Sequence, residues 1–273
     1  MTTPREEEAP AAMTGDAWTA GDAYDAYMGR WSRQLAREFV AWLKPGPALH
    51  WLDVGCGTGA LTVAVCEGCA PASVLGCDPS EAFVAHARGA IRDPRASFVT
   101  ADAGSLPARD GGYDWIVSSL VINFVPEPER AVHGMRQLLR AGGAVAACVW
   151  DYAEGMEFLR RFWDEAIALD PGAVALDEGR RFPLSRSDAL DALFRAAGFR
   201  RVETVALEIP TEFGDFDDYW RPFLAGTGPA PAYVATLDAK ARDALRSRLE
   251  RRLGARGKGR VRLRARAWAV RGV

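Results

Sequence analysis

Long hydrophobic runs are missing from this chain of 273 residues. No window offers the roughly 18 uninterrupted apolar residues of a membrane span. The opening stretch MTTPREEEAPAA has no hydrophobic core of an export signal, so a cytoplasmic protein with no membrane partner is expected. Cysteine is scarce and odd in number: Cys56, Cys66, Cys69, Cys77 and Cys148. Five thiols without an export signal argue for reduced, buried side chains and against a disulfide framework. Cys66 and Cys69 form a C-x-x-C, but their neighbours sit in a glycine turn and at a strand end and do not complete a ligand set, so no metal is expected. Net charge is nearly absent as well, at −2, while 49% hydrophobic and 26% charged residues exclude long disorder, collagen and coiled coil.

The small net charge conceals an asymmetry. Residues 241–273 carry twelve Lys and Arg against two Asp and Glu, a balance of +10 that leaves −12 elsewhere. A basic end of this kind raises the question of nucleic acid.

Hydrophobic periodicity divides the chain. Residues 1–17 have no apolar period and read as a disordered tail ahead of one domain over 18–273. Over 20–43, Tyr24, Tyr27, Met28, Trp31, Leu35, Phe39 and Trp42 recur at helical spacing. Apolar runs and helical stretches then alternate, with strands at 48–54, 73–78, 96–100, 113–118 and 144–150 and helices at 60–69, 80–90 and 128–140. Continuous apolar strands separated by helices predict a parallel sheet covered on both faces, an α/β doubly wound fold. Beyond Trp150 the pattern predicts connecting helices over 151–200 around a loop at 170–183, a strand at 201–209, a helical insert over 211–255 and a final strand at 260–270.

The most informative stretch is Trp51-Leu52-Asp53-Val54-Gly55-Cys56-Gly57-Thr58-Gly59-Ala60-Leu61, a buried strand running through a glycine turn into a helix. Glycines here let the backbone turn sharply and let a ligand approach it closely, at the carboxyl edge where such sheets bind. Gly55, Gly57 and Ala60 satisfy the dinucleotide fingerprint, and Asp78 ends the second strand as a nicotinamide enzyme requires. Against that reading, Asp53 puts a carboxylate where a pyrophosphate would pass, which suits a cationic group better. A third acid, Asp102, follows the third strand.

Leu52-Asp53-Val54-Gly55-Cys56-Gly57-Thr58-Gly59 resembles motif I of the class I S-adenosylmethionine-dependent methyltransferases. The resemblance continues through Gly76-Cys77-Asp78-Pro79-Ser80, Ala101-Asp102-Ala103 with Leu106-Pro107, Tyr113-Asp114-Trp115-Ile116-Val117-Ser118 and Leu138-Leu139-Arg140-Ala141-Gly142-Gly143. It covers most of residues 22–150 and points to the small-molecule, type 11-like branch. It implies a Rossmann-like sheet of seven strands, the last antiparallel, with an N-terminal helical lid over 20–43, a cofactor-binding core over 48–150 and a helical cap before the last strand. It also implies S-adenosylmethionine as cofactor, leaving as S-adenosylhomocysteine. Asp53 with Gly55, Cys56, Gly57, Thr58 and Gly59 is expected to hold the methionine end. Asp78 is expected at the ribose hydroxyls, Asp102 and Ala103 at the adenine with Pro79 or Phe83 packed on its ring, and Ser118 at the pocket floor.

The acceptor is read by absence. After the fourth strand the chain reads Ser118-Ser119-Leu120-Val121-Ile122-Asn123-Phe124, with neither the Asn/Asp-Pro-Pro-aromatic motif of DNA amino methylation nor an acidic pair for magnesium. A small organic acceptor is expected, and nucleic acid is not. His50, His86 and His133 are expected to be structural. Tyr27, Trp31, Asn123, Phe124 and Tyr152 are expected to line the acceptor side or its lid. Tyr24 or Asp151 is the candidate base, with catalysis by proximity alone as the rival. The terminal arginines are expected to pair with acids such as Glu203 and Glu208 in preference to binding an anionic acceptor. Two other readings stay open: a protein that binds the same cofactor without methyl transfer, and a nicotinamide oxidoreductase. The sequence sets no oligomeric state.

Overall fold

The structure, a computed structural model, describes residues 29–224, 228–254 and 259–273. Its strands are β1 (His50–Val54), β2 (Ser73–Asp78), β3 (Ala96–Thr100), β4 (Tyr113–Ser119), β5 (Leu139–Trp150), β6 (Val202–Phe213) and β7 (Val261–Gly272). They form one sheet in the order β3-β2-β1-β4-β5-β7-β6. Pairs among β1 to β5 are parallel, while β7 runs antiparallel between β5 and β6. The order reverses at β1, so the crevice at the carboxyl ends of β1 and β4 is the place where such a sheet binds ligands.

The helices are α1 (Arg30–Leu43), α2 (Ala60–Cys69), α3 (Glu81–Ala90), α4 (Pro128–Gln137), α5 (Glu157–Leu169), the short α6 (Glu178–Arg181), α7 (Ser187–Ala196), α8 (Phe216–Trp220), α9 (Pro229–Thr236) and α10 (Ala239–Arg252). In α1 the apolar side chains fall four apart, and Trp31, Leu35 and Phe39 are buried on one face. The Ser80 side chain caps α3 by accepting from the Phe83 N–H, and Pro128 opens α4 where its missing N–H goes unnoticed. One face of the sheet carries α1, α2, α5 and the helices between β6 and β7 in a single apolar core. The other carries α4 and α7, and α3 packs over β2 and β3.

The observed elements depart from the periodicity in three places. The expected turn at 141–143 lies inside β5, where the register against β4 shifts between Tyr113 and Trp115. Strand β6 continues through Pro210 to Phe213, because β6 is an edge strand and proline there forfeits no ladder bond on its open side. The helical insert therefore begins at Phe216. Loop 170–183 contains two helical pieces, Pro171–Leu176 and Glu178–Arg181. Among the described residues no helix is long and apolar enough to cross a membrane.

The basic end is explained by the register of β7 on β6. Arg271 lies opposite Glu203 and Arg262 opposite Glu212. Ion pairs join Arg271 to Glu203 at 2.6 Å, Arg264 to Glu208 at 3.7 Å and Arg262 to Glu212 at 3.7 Å. On α10, Arg246 meets Asp217, and Arg248 and Arg252 share Glu165. The exposed pairs on β6 and β7 contribute only about 0.2–1 kcal/mol each, and Glu165 is buried, but all of them commit these side chains to neighbours in the fold.

Candidate active site

A cavity of about 310 Å³ opens across the carboxyl ends of β2, β1, β4 and β5, in the size range of small-molecule sites. Strand parity decides its floor. Trp51, Val117, Cys148 and Trp150 face the core under α1 and α2, whereas Leu52, Ile116, Ala147 and Val149 face the other side. Alternation then puts Asp53, Ser119 and Trp150 on the cavity side. The expected floor residue Ser118 points the opposite way and is buried with its hydroxyl unpartnered. Ser119 takes its place, with its Oγ 3.3 Å from the Cys148 Sγ.

The glycine turn is drawn tight by its neighbours. Gly55 has φ +72°, and a Cβ there would lie 2.5 Å from the Val121 methyls. Gly57 has φ +51°, and its N–H donates to Asp78 Oδ2 at 3.0 Å while the Ser80 N–H donates to Asp78 Oδ1 at 2.9 Å. The acid that ends β2 thus ties the turn that follows β1. Opposite, Leu120 adopts a left-handed backbone, φ +64°, rare for a bulky residue. Its N–H is held by the Cys148 carbonyl at 2.7 Å.

Asp53 is 1% exposed. Its Oδ2 accepts from the Thr62 hydroxyl at 2.7 Å, and its Oδ1 has no partner. Burial pushes its carboxyl up to about 7, with the charge of Asp78 adding to the shift and the Thr62 hydrogen bonds opposing it. Burial likewise raises Asp78 against the two N–H donors that lower it. The Cys56 thiol, also on the cavity wall, is raised by burial and by both acids and is an inert wall atom.

Thr58, Pro79 and Phe83 line the cavity with the glycine turn, and Phe124 and Tyr152 line it further along. Several sequence candidates lie elsewhere. Asp102 is exposed and accepts the Gly104 N–H at 2.7 Å on its own loop; neither it nor Ala103 lines the cavity. Asn123 is turned away, its amide buried without a partner. Trp31 belongs to the core, edge-on to Phe213, while the next residue, Ser32, reaches the cavity. Asp151 is buried against Arg266, whose Nε and Nη2 stand 2.8 and 2.6 Å from Oδ2. That carboxylate is committed to an ion pair and lies outside the cavity lining. Tyr24 and Tyr27 lie outside the described residues. No histidine lines the cavity: His50 bonds Ser73, His133 bonds Gln137, and His86 is exposed.

Phe182 and Glu178 are among the cavity residues that escaped the sequence reading. Phe182 stands edge-on to Phe124 at 5.0 Å and tilted to Tyr152 at 5.6 Å. Glu178, 3% exposed, accepts a hydrogen bond from the Trp163 indole. Both come from the stretch 170–183 that reads as a loop. The available signal was its length, since long connections in compact domains tend to be functional.

The Methyltransferase domain family model matches residues 52–147. Over 114 residues the chain is 32% identical to trans-aconitate 2-methyltransferase of Deinococcus radiodurans, a match covering 42% of this chain and 43% of that protein. Over 183 residues it is 31% identical to malonyl-[acyl-carrier protein] O-methyltransferase of Geobacter sulfurreducens, covering 66% of this chain and 67% of that one. The chain belongs to the class I S-adenosylmethionine-dependent methyltransferase family. Phosphoethanolamine N-methyltransferase 2 of Haemonchus contortus, solved in complex with S-adenosyl-L-methionine, superposes with a TM-score of 0.56 over 95% of this chain and 58% of that one. At 16% identity that likeness is one of fold.

The family's cofactor, S-adenosylmethionine, fits the residues present. The orphaned Oδ1 of Asp53 is a buried carboxyl oxygen with no protein partner, which a ligand bearing an ammonium and a sulfonium would satisfy. The space over Gly57, where a Cβ would meet nothing within 4 Å, lets a ligand reach the backbone. In this chain Asp53 also sets a stability trade-off. Its carboxyl binds a proton in the fold up to about pH 7, against an ordinary 3.8. The folded state therefore holds more protons in that window, and stability is lost as pH rises through it. Asp53→Asn keeps an oxygen for Thr62 without the charge. Without cofactor it should melt higher than the wild type at pH 8, with the two converging toward pH 4. Thermal melts across that range check this, and a wild type that melts higher at pH 8 contradicts it.

Proposed function

We propose that the chain transfers the methyl group of S-adenosylmethionine to an oxygen, nitrogen or carbon atom of a small organic acceptor. The observation that carries this reading is a single cavity whose acid and glycine end runs on into an aromatic end formed by Phe124, Tyr152 and Phe182. The bound cofactor supplies an electrophilic methyl carbon. Asp53 and the turn from Gly55 to Gly59 would hold its methionine end, and Asp78 its ribose. Pro79 and Phe83 would pack on the adenine; Asp102 and Ala103, outside the lining, have no part in this reading. The protein's own work is to orient the acceptor and exclude water. The helices between β6 and β7 would act as a cap, supported by Pro229 of α9, which lines the cavity. The buried reduced cysteines support a cytoplasmic setting.

Calorimetric titration separates this reading from a nicotinamide enzyme. S-adenosylhomocysteine should bind in the micromolar range and NADH should not; NADH binding without S-adenosylhomocysteine binding would sink the proposal. Incubation with labelled S-adenosylmethionine and a metabolite extract should yield a product heavier by one methylene. Tight cofactor binding with no such product favours a protein that holds the cofactor without transferring its methyl.

A further inference from the structure

Glu178 is the cavity carboxyl that the cofactor reading leaves without a task. It lines the same cavity as Asp53 and Asp78 but stands with the elements that follow β5, alongside Trp150, Tyr152 and Phe182. Neighbouring strands are about 4.8 Å apart, so β5 lies roughly 10 Å across the sheet from β1. The indole N–H of Trp163, on α5, holds the Glu178 carboxyl in place. Among the described residues the charged lining of the cavity consists of Asp53, Asp78 and Glu178, with no Lys, Arg or His. The nearby cation Arg160 is committed to Asp177, with Nη1 2.9 Å from Oδ2. A carboxylate or phosphate on the acceptor would find no Lys, Arg or His in the lining to pair with, and beside the aromatic rings only the Glu178 carboxyl. An N–H or O–H group would meet a fixed buried oxygen framed by aromatic rings.

We infer that Glu178 is the proton acceptor for the methyl acceptor, and that this acceptor offers an amine or hydroxyl on an apolar body and no acidic group at this end. The inference rests on the methyl-transfer reading above. In the step it serves, a lone pair on the acceptor nitrogen or oxygen forms the bond to the methyl carbon as the carbon–sulfur bond breaks. The electron pair of that bond stays on sulfur, and the proton leaving nitrogen or oxygen passes to the Glu178 carboxylate. Burial suits the residue to this, pushing its carboxyl up to about 7, where a base is strong enough to act and still ionised at neutral pH. The charge of Asp177 adds to the shift; hydrogen bonds from its own backbone N–H and from Trp163, and the charge of Arg160, oppose it. Asp53 and Asp78 line the same cavity.

The test uses the full chain saturated with S-adenosylhomocysteine and two calorimetric probes, phenethylamine and phenylacetate. At pH 8 the amine should bind at least tenfold tighter than the anion. Its affinity should fall about tenfold at pH 6, where the probe stays charged and Glu178 becomes protonated. Glu178→Gln should abolish both the preference and the pH dependence while changing S-adenosylhomocysteine affinity less than threefold. Trp163→Phe keeps the carboxyl and removes its donor, so the preference should persist with its pH midpoint moved upward. Anion binding as tight as amine binding, no amine binding at all, or an E178Q variant indistinguishable from the wild type overturns the inference with the methyl-transfer reading intact. Failure of the wild type to bind S-adenosylhomocysteine removes both.

Discussion

Replacing Asp78 with alanine should weaken S-adenosylhomocysteine binding at least tenfold while the protein still folds. Two losses add in this variant. The carboxylate proposed to meet the ribose hydroxyls disappears, and a hydrogen bond to a charged acceptor is worth about 1.5–3 kcal/mol, where tenfold is about 1.4 kcal/mol. The glycine turn also loses its tie, because the N–H groups of Gly57 and Ser80 both donate to this side chain at 3.0 and 2.9 Å. A slack turn must be ordered again when ligand binds, at further loss of affinity. Asp78→Asn separates the two effects. Its one carbonyl oxygen can keep a single backbone donor but carries no charge, so its affinity should fall between those of alanine and wild type. Calorimetry gives the affinities and a thermal melt reports the fold. An alanine variant that binds as tightly as the wild type would place the ligand elsewhere on the molecule.

The parts of this site that were legible in the sequence are those fixed by short-range pattern. Strands β2 and β3 and helix α2 begin and end where apolar period and glycine punctuation put them, and Asp53 and Asp78 could be read because Asp78 ends such a strand and Asp53 stands next to the end of another. Ser119 was one residue from the expected Ser118, and only the observed pairing of β4 with its neighbours shows which parity faces the cavity. Glu178 had no local signal, since an acid in a polar stretch is ordinarily solvated. Its burial comes from Trp163, fifteen residues earlier on a helix folded over it. Strand β6 ran past Pro210 because an edge strand tolerates what a central one does not. Pairing of the terminal arginines with Glu203 and Glu208 was expected from the sequence, and the register of β7 on β6 shows which arginine meets which acid.

Asp151 too has a partner that local pattern does not show, 115 positions away, and that pair sets the largest stability change we expect. Arg266→Met keeps most of the apolar stem and removes the guanidinium, leaving Asp151 with a side chain 3% exposed and only the Glu154 N–H, at 2.9 Å, to hold it. Stranding one member of a buried pair costs about 3–5 kcal/mol, and at about 2–4 °C per kcal/mol for a chain of this size the melting temperature should drop by about 10 °C. Asp151→Asn alone should cost less, because Arg266 retains Glu154 at 3.6 Å and the face of Trp268 at 4.9 Å. Made together, the two substitutions should destabilise less than the sum of the singles by at least 1 kcal/mol, beyond the roughly 0.3–0.5 kcal/mol scatter of independent sites. Denaturant melts of the four proteins close that cycle. Additive losses, or an Asp151→Asn protein that keeps its stability and loses its methyl transfer, would return Asp151 to the role of base. Coupling of the predicted size assigns it to the joint between β5 and β7, on which the edge of the cavity at Trp150 and Tyr152 is built.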